Sequence, residues 1–244
     1  MCPPSFPRTR ESMLSVFKCN GCTKLIGNRW IPAFAGMTTL AQLSRDRRTR
    51  NTFVDKHRME AFSDGVVAIL ITIMILELHP PEGTDWAALR PIIPSVLTYV
   101  LSFVYLGIYW NNHHHMLQAT DRINGAILWA NLHLLFWLSL VPFVTAWMGR
   151  NYKESVPTAL YGAVLIMAAL AYTILQTAII REEGRDSRLA MAIGRDQKGI
   201  ASLLLYASGI PLAFVYPWIA DALYTTVAMI WLVPDRRIEA LLQG

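Results

Sequence analysis

Ionisable side chains at the ends of long apolar runs are the residues of this sequence with the clearest chemical potential. Asp64 follows Ser63 at the start of an apolar run that ends at Glu77, and three histidines, His113 to His115, end the next run. A carboxylate at the edge of a bilayer needs a partner, because an unpaired charge there costs on the order of 3 kcal/mol. We therefore predict a hydrogen bond from Asp64 to His113 or His114, which either holds helices together or takes part in gating or proton transfer.

The histidines also suggest a metal site, since imidazole is the commonest transition-metal ligand in proteins. Adjacent residues on a helix diverge by about 100°, so the triplet cannot chelate one ion as an i, i+4 pair would. The sequence contains His133 on another apolar run but has no His-Glu-x-x-His motif, nucleophile elbow or P-loop. We predict no catalytic residue, metal or other cofactor, and a histidine-dependent membrane metalloenzyme is the alternative function.

The composition identifies the class of protein that must position these side chains. The chain has 244 residues, of which 54% are hydrophobic and only 16% are charged. A soluble domain carries about 25% charged residues, so an all-α polytopic membrane protein is predicted. The net charge of +5 is small and comes from tails and loops, which gives no reason to invoke nucleic acid as a partner.

Six apolar runs are predicted to cross the bilayer as helices. The last apolar stretch, residues 199–233, would extend about 50 Å as one helix, which exceeds the roughly 30 Å that one span needs. Pro211, Pro217 and Asp221 supply a break within it. The predicted spans are residues 62–78, 92–110, 123–148, 156–180, 199–216 and 217–233.

Charge asymmetry predicts the orientation of these spans. With six spans and a cytoplasmic N-terminus, fourteen of the Lys and Arg residues from Arg45 onward lie inside, and Arg90, Arg150 and Lys153 lie outside. Because cytoplasmic flanks carry the excess of basic residues, both termini are predicted to be cytoplasmic.

Two regions are predicted along the chain: an N-terminal tail, residues 1–56, and a channel-like membrane domain, residues 57–240. The tail has no helical periodicity or signal-peptide pattern, so we expect it to be disordered. Residues 28–39 resemble the translation of a bacterial intergenic repeat, which would place the true start of the protein downstream. Cys19 and Cys22 form only half of a zinc or redox motif within this tail.

The first predicted span carries a narrow stripe that could line a pore. At 100° per residue, Gly65, Ile69, Thr72 and Leu76 fall within one arc, and Asp64 points away to the side. Most such stripes face lipid or a neighbouring helix, which is the alternative interpretation. We interpret this one as a pore lining, because an apolar ring can act as a gate or a sieve for ions.

Several motifs resemble those of a known family. Arg58, Phe62, Ser63 and Asp64 form an Arg-x-x-x-Phe-Ser-Asp pattern similar to the signature of the potassium channels called transmembrane protein 175, in their prokaryotic branch. The other matching stretches are Tyr109-Trp110-x-x-His113-His114, Asn131 to Pro142-Phe143, and Trp231-x-x-Pro234-Asp235-Arg236-Arg237. The resemblance covers roughly residues 57–240.

This resemblance implies a homotetrameric, potassium-permeable cation channel with six helices per chain, in the bacterial inner membrane. The family has no Thr-Val-Gly-Tyr-Gly filter, and this sequence has none. Its constriction corresponds to Ile69, followed by a hydroxyl layer at Thr72 and an aliphatic layer at Leu76. Arg58, Phe62, Ser63, Asp64, His113 and His114 are expected to form a structural network. A non-conducting structural membrane protein is a further alternative.

Overall fold

The computed structural model describes residues 24–26, 29–31, 56–184, 187, 190–191 and 197–232. The chain divides into two compact units, residues 1–53 and 54–244. The first unit contains an antiparallel hairpin of β1 (Lys24–Ile26) and β2 (Arg29–Ile31), in a segment where the sequence predicted no structure. Gly27-Asn28 between the strands is a dipeptide that favours tight turns. The remainder of the predicted tail before residue 56 lies outside the described residues.

The second unit consists of helices. A 3₁₀ helix, Trp86–Ile92, leads directly into α2. The α-helices are α1 (Lys56–Leu76), α2 (Ile93–Gln118), α3 (Gly125–Ser139), α4 (Val141–Arg150), α5 (Ser155–Glu183), α6 (Gln197–Ala213) and α7 (Pro217–Leu232).

Helix bounds agree with the predicted spans except at three points. Helix α2 continues to Gln118, about two turns beyond the predicted end at residue 110. The first span begins at Lys56, about two turns earlier than predicted. The third span is divided into α3 and α4 at Leu140, with Pro142 in the first turn of α4. Proline lacks an N–H group and its ring obstructs the preceding turn, so a helix tends to break just before it. The reversal between α6 and α7 lies where it was predicted, before Pro217.

The all-α polytopic membrane fold is confirmed. Within the described residues, four helical segments are long and apolar enough to cross a membrane: Lys56–Leu76, Trp86–Gln118, Gly125–Arg150 and Ser155–Glu183. Helices α6 and α7 have 17 and 16 residues. These lengths correspond to about 26 and 24 Å, somewhat less than the roughly 30 Å of a typical hydrocarbon core.

Helix α5 contacts more of the other helices than α1 does. It packs against α3, α4, α6 and α7, whereas α1 packs against α2, α3 and α4. The hydroxyl of Tyr161 on α5 is fully buried and lies 2.9 Å from Ser102 Oγ, which in turn accepts a hydrogen bond of 2.7 Å from Thr145 Oγ1. These contacts give buried polar groups partners within the protein.

Tyr224 of α7 fills a gap that only glycine leaves open. A Cβ atom at Gly162 would lie 2.1 Å from the Tyr224 hydroxyl oxygen, and one at Gly209 would lie 2.6 Å from its ring. Real side chains do not approach so closely, so a larger residue at either site would displace the ring. Small residues on α5 and α6 therefore allow the close packing of the last three helices.

Candidate pore helix and its polar network

Helix α1 has two different faces. Its buried residues recur every three to four positions: Met59, Ser63, Val67, Leu70 and Met74. The predicted pore stripe lies on the opposite side, where Ile69 is 57% exposed and Leu76 is 79% exposed, whereas the adjacent Leu70 is only 6% exposed. Gly65 and Thr72 are exposed on the same side as Ile69. A single chain therefore leaves the stripe unpacked.

Thr72 places a polar atom on this otherwise apolar face. Its hydroxyl donates a hydrogen bond of 2.8 Å to the backbone carbonyl of Ile69. Because the only hydrogen of the hydroxyl is used in this bond, the oxygen can interact with other groups only as an acceptor. An acceptor on this face suits a cation better than an anion.

A buried chain of hydrogen bonds connects α1, α2 and α3. Asn131 Nδ2 donates to Ser63 Oγ at 2.9 Å, and Asn131 Oδ1 lies 2.8 Å from His113 Nε2. Ser63 Oγ donates in turn to the carbonyl of Met59 at 2.9 Å. All three polar side chains are buried, so each one satisfies its neighbour in a region with no access to water.

Asp64 has a different partner from the one predicted. Its Oδ1 accepts a hydrogen bond of 2.9 Å from Trp110 Nε1, and His113 binds Asn131 instead. The prediction of a direct pair between Asp64 and a histidine is therefore wrong. Trp110 lies one turn before His114 on α2, and its indole N–H is a neutral donor that can satisfy a carboxylate without a charged partner.

His114 belongs to a third group, around Glu60. His114 Nδ1 lies 3.2 Å from Glu60 Oε1, and His114 Nε2 lies 2.8 Å from the side-chain amide of Gln118. The imidazole also stacks on Trp110, with ring centres 5.8 Å apart and planes at 14°. The N-terminal end of α1 is thus attached to α2 through Trp110 and His114.

The remaining predicted residues lie apart from these groups. Arg58 and Phe62 lie on the exposed side of α1, and Phe62 is 54% exposed. The structure therefore brings together Ser63, Asp64, His113 and His114 as neighbouring groups but leaves Arg58 and Phe62 outside their hydrogen bonds. Both exposed residues are available to other molecules.

The histidines do not form a metal site in the described part of the chain. His133 Nε2 accepts a hydrogen bond of 2.9 Å from Trp137 Nε1, while His113 and His114 have the separate partners given above. No group of three or more His, Cys, Asp or Glu side chains within the described residues is placed to hold a metal ion.

Sequence reasoning missed three partners in this region: Asn131, Trp110 and Glu60. The signal for Asn131 was its position in an otherwise apolar helix, because an amide there requires a hydrogen-bonding partner. Glu60 and His114 are distant in sequence and gave no such signal.

An ion pair marks the other end of α1. Arg150 at the end of α4 donates to Glu77 Oε2 at 3.0 Å, and both side chains are about half exposed. A pair of this kind fixes orientation more than it stabilises, because water competes for both charges.

Comparisons with known proteins agree on one family. The model of the family described as "Endosomal/lysosomal potassium channel TMEM175" matches residues 58–142. A potassium channel from Chryseobacterium sp. is 56% identical over 188 residues, which cover 77% of this chain and 98% of that protein. A potassium channel from Streptomyces collinus is 39% identical over 126 residues, which cover 48% of this chain and 61% of that protein.

The fold is similar to that of a solved channel structure. The crystal structure of a lysosomal potassium-selective channel TMEM175 homolog from Chamaesiphon minutus superposes with a TM-score of 0.66 at 25% identity. The match covers 74% of this chain and 97% of that one.

Proposed function

The chain belongs to the TMEM175 family, and we propose from this premise that it is a potassium channel whose pore is lined by α1. Its relatives and its structural neighbour are channels, so the chain is a channel and not an enzyme. The alternative of a histidine-dependent metalloenzyme is thereby excluded. The pore lining, the oligomeric state and the orientation are the parts that we propose.

The main support for a pore lined by α1 is the difference in side-chain exposure between Ile69 and Leu70. These neighbours are 57% and 6% exposed, so α1 is anchored by one face and presents the other. The presented face carries Ile69, Thr72 and Leu76 one turn apart, without a charged side chain among them. Such layers could form the narrowest part of an ion pathway, with Ile69 as the constriction.

Several copies of the chain are needed to enclose a pathway of this kind. The proposed pore face lies on the outside of a single chain, so other copies must surround the same axis to close it. We propose a homotetramer in the bacterial inner membrane, with both termini in the cytoplasm. The excess of basic residues on the proposed cytoplasmic side supports this orientation.

The expected mechanism is partial dehydration at an apolar ring. Four Ile69 side chains would offer no oxygen atoms to replace the water around an ion, so the barrier would depend on the cost of dehydration. Potassium holds its water less strongly than sodium does and would cross more easily. The Thr72 hydroxyls, with oxygens available as acceptors, would contribute to this preference.

Matched asparagine substitutions at adjacent positions test this proposal. Ile69→Asn should raise conductance and reduce discrimination between potassium and sodium, because an amide lets water remain at the constriction. Leu70→Asn should mainly impair folding, since it buries an amide without a partner at a cost of about 1–3 kcal/mol. The measurement is potassium, sodium and caesium flux in liposomes, with protein recovery measured alongside.

Two outcomes would reject the assignment of α1. Equal flux and selectivity for correctly folded Ile69→Asn and Leu70→Asn would show that α1 does not line the pathway. The absence of potassium flux from well-assembled wild-type protein would favour the alternative of a non-conducting structural protein. Thr72→Val adds a finer test, because it should weaken the preference for potassium without blocking flux.

A further inference from the structure

A groove between α2 and α7 contains a carboxylate that the proposed pore does not use. Its volume is about 590 Å³, within the range typical of small-molecule sites. Its walls are almost wholly apolar, and they include Leu97 and Leu101 of α2 and Ala228 and Met229 of α7. Leu97 and Met229 are 63% and 60% exposed, so the groove opens outward. We call it the α2–α7 groove.

Asp221 lies within this groove without a partner. Its Oδ1 is buried and has no hydrogen-bonding partner among the described residues. The side chain lies four residues after Pro217, at the start of α7, which is about 6 Å along the helix axis. A buried, unpaired carboxylate oxygen is costly, so a bound group that donates hydrogen bonds to it would stabilise the protein.

The other polar groups of the groove also favour a donor. The Thr98 hydroxyl donates to the carbonyl of Pro94 at 2.9 Å, and the Thr225 hydroxyl donates to the carbonyl of Asp221 at 2.8 Å. Each hydroxyl has used its hydrogen, so both oxygens remain only as acceptors. The two threonines and the carboxylate therefore suit a group that carries both a positive charge and N–H bonds.

A positively charged side chain, Lys153, lies beside the groove. It would attract a negative group on a ligand whose ammonium is bound at Asp221. Tyr152 also lines the groove, and Lys153 Nζ lies 5.5 Å from the centre of the Tyr152 ring. A ligand with an ammonium at Asp221 could place a phosphate toward Lys153. The apolar walls would then cover a hydrocarbon chain, because burial of apolar surface is favourable in a groove that water would otherwise enter.

We propose that the α2–α7 groove binds a membrane lipid with a primary ammonium headgroup, represented by phosphatidylethanolamine. Asp221 accepts hydrogen bonds from the ammonium, and Leu97, Leu101 and Met229 contact an acyl chain. This assignment depends on charge complementarity and does not depend on ion conduction. A second copy of the chain in the same groove is the competing outcome of the test.

Native mass spectrometry of the full chain in detergent tests the proposal directly. Wild-type protein is titrated with phosphatidylethanolamine, phosphatidylcholine and phosphatidylglycerol of identical acyl chains. Phosphatidylcholine carries the positive charge without N–H bonds, and phosphatidylglycerol lacks the charge. Phosphatidylethanolamine should bind about tenfold more tightly than either, as expected for a charge-assisted hydrogen bond.

Three variants assign the binding to the groove. Asp221→Asn should reduce the preference for phosphatidylethanolamine to within about twofold, because the amide removes the charge but keeps the shape. Met229→Trp places a large ring in the exposed wall and should weaken all three lipids. Glu77→Gln removes a carboxylate that is paired with Arg150 outside the groove, so it should leave lipid binding unchanged.

Equal binding of the three lipids by wild-type protein would overturn the proposal, even if Asp221→Asn failed to fold. Retention of the preference in folded Asp221→Asn would also overturn it. If Met229→Trp instead separated the copies of the chain without changing lipid binding, the groove would be an interface between subunits, and the lipid assignment would be wrong.

Discussion

Helices α1 and α5 are both long and apolar, yet they occupy different environments. Twelve of the 29 residues of α5 are buried, and the helix packs against four others. Five of the 21 residues of α1 are buried, and its opposite face carries exposed branched aliphatic residues such as Ile69 and Ile73. Hydrophobicity alone therefore does not separate a helix that fills the bundle from one with an exposed face. The spacing of small residues does separate them, since α5 needs glycine where Tyr224 packs.

The largest expected effect distinguishes glycines on the two helices. Gly162→Ala places a Cβ atom 2.1 Å from the Tyr224 hydroxyl oxygen, so the ring must move. We expect a loss of about 1–3 kcal/mol in stability, or loss of folded protein. Gly65→Ala on α1 is the matched control, because nothing lies within 4 Å of its added Cβ atom in one chain. Thermal unfolding followed by size-exclusion chromatography measures both. Equal melting temperatures for the two variants would show that α5 does not require glycine at Gly162 any more than α1 does at Gly65.

The second effect concerns the polar attachment of α1. Asn131→Leu should leave Ser63 and His113 buried without their shared partner, at a cost of about 1–3 kcal/mol. A double-mutant cycle with Ser63→Ala isolates the contact, because the second change should cost less once Asn131 is absent. Additive losses of stability would show that the two side chains do not interact as drawn.

A smaller effect is expected at the partly exposed attachment of α1. Trp110→Phe removes the N–H that binds Asp64 and keeps an aromatic ring against His114. We expect a loss of about 0.5–1.5 kcal/mol, toward the lower end because Trp110 is 43% exposed. Ion preference in liposomes should stay unchanged, since Asp64 lies off the proposed pore face. A folded Trp110→Phe channel with altered selectivity would contradict that placement.

The smallest effect is expected at the ion pair beyond the end of α1. Glu77→Gln removes one charge from a pair with Arg150 in which both side chains are about half exposed. Such pairs contribute roughly 0–1 kcal/mol, so the melting temperature should change little and the change should shrink further in high salt. A large loss that persists in high salt would mean that the pair is more enclosed than in a single chain.

Much of this fold could be predicted from the distribution of apolar residues. The reversal before Pro217 and the sequence of spans followed from lengths and breakers, because the bilayer fixes how long a helix must be. The break at Leu140 was missed, although Pro142 was visible, because proline within a long apolar run does not by itself show whether the helix bends or stops. The partners of individual hydrogen bonds were harder to predict than the positions of the helices.

The hydrogen-bonding partner of Asp64 was predicted wrongly, because a histidine that can carry a charge was favoured over a neutral N–H donor. A histidine and an indole both lie within one turn of α2, and only the three-dimensional rotation of the helix selects Trp110. The buried face of α1 was easier to predict. Ile69 and Leu70 are about 100° apart around the helix axis, so they cannot both face the bundle. Helical periodicity therefore shows which residues share a face of a helix. It does not show which of several neighbouring polar groups form a hydrogen bond.

The break at Leu140 also has a mechanical consequence for α1. The N-terminal half of α1 is attached through Ser63 to Asn131 on α3, whereas Glu77, just after its C-terminal end, pairs with Arg150 on α4. The two ends of α1 therefore contact two helices that meet at a proline-associated break, which is a place where helices commonly bend. Ile69 lies between these contacts, so bending at Leu140 would change the width of the proposed pore at this level while the hydrogen bond between Ser63 and Asn131 stays intact.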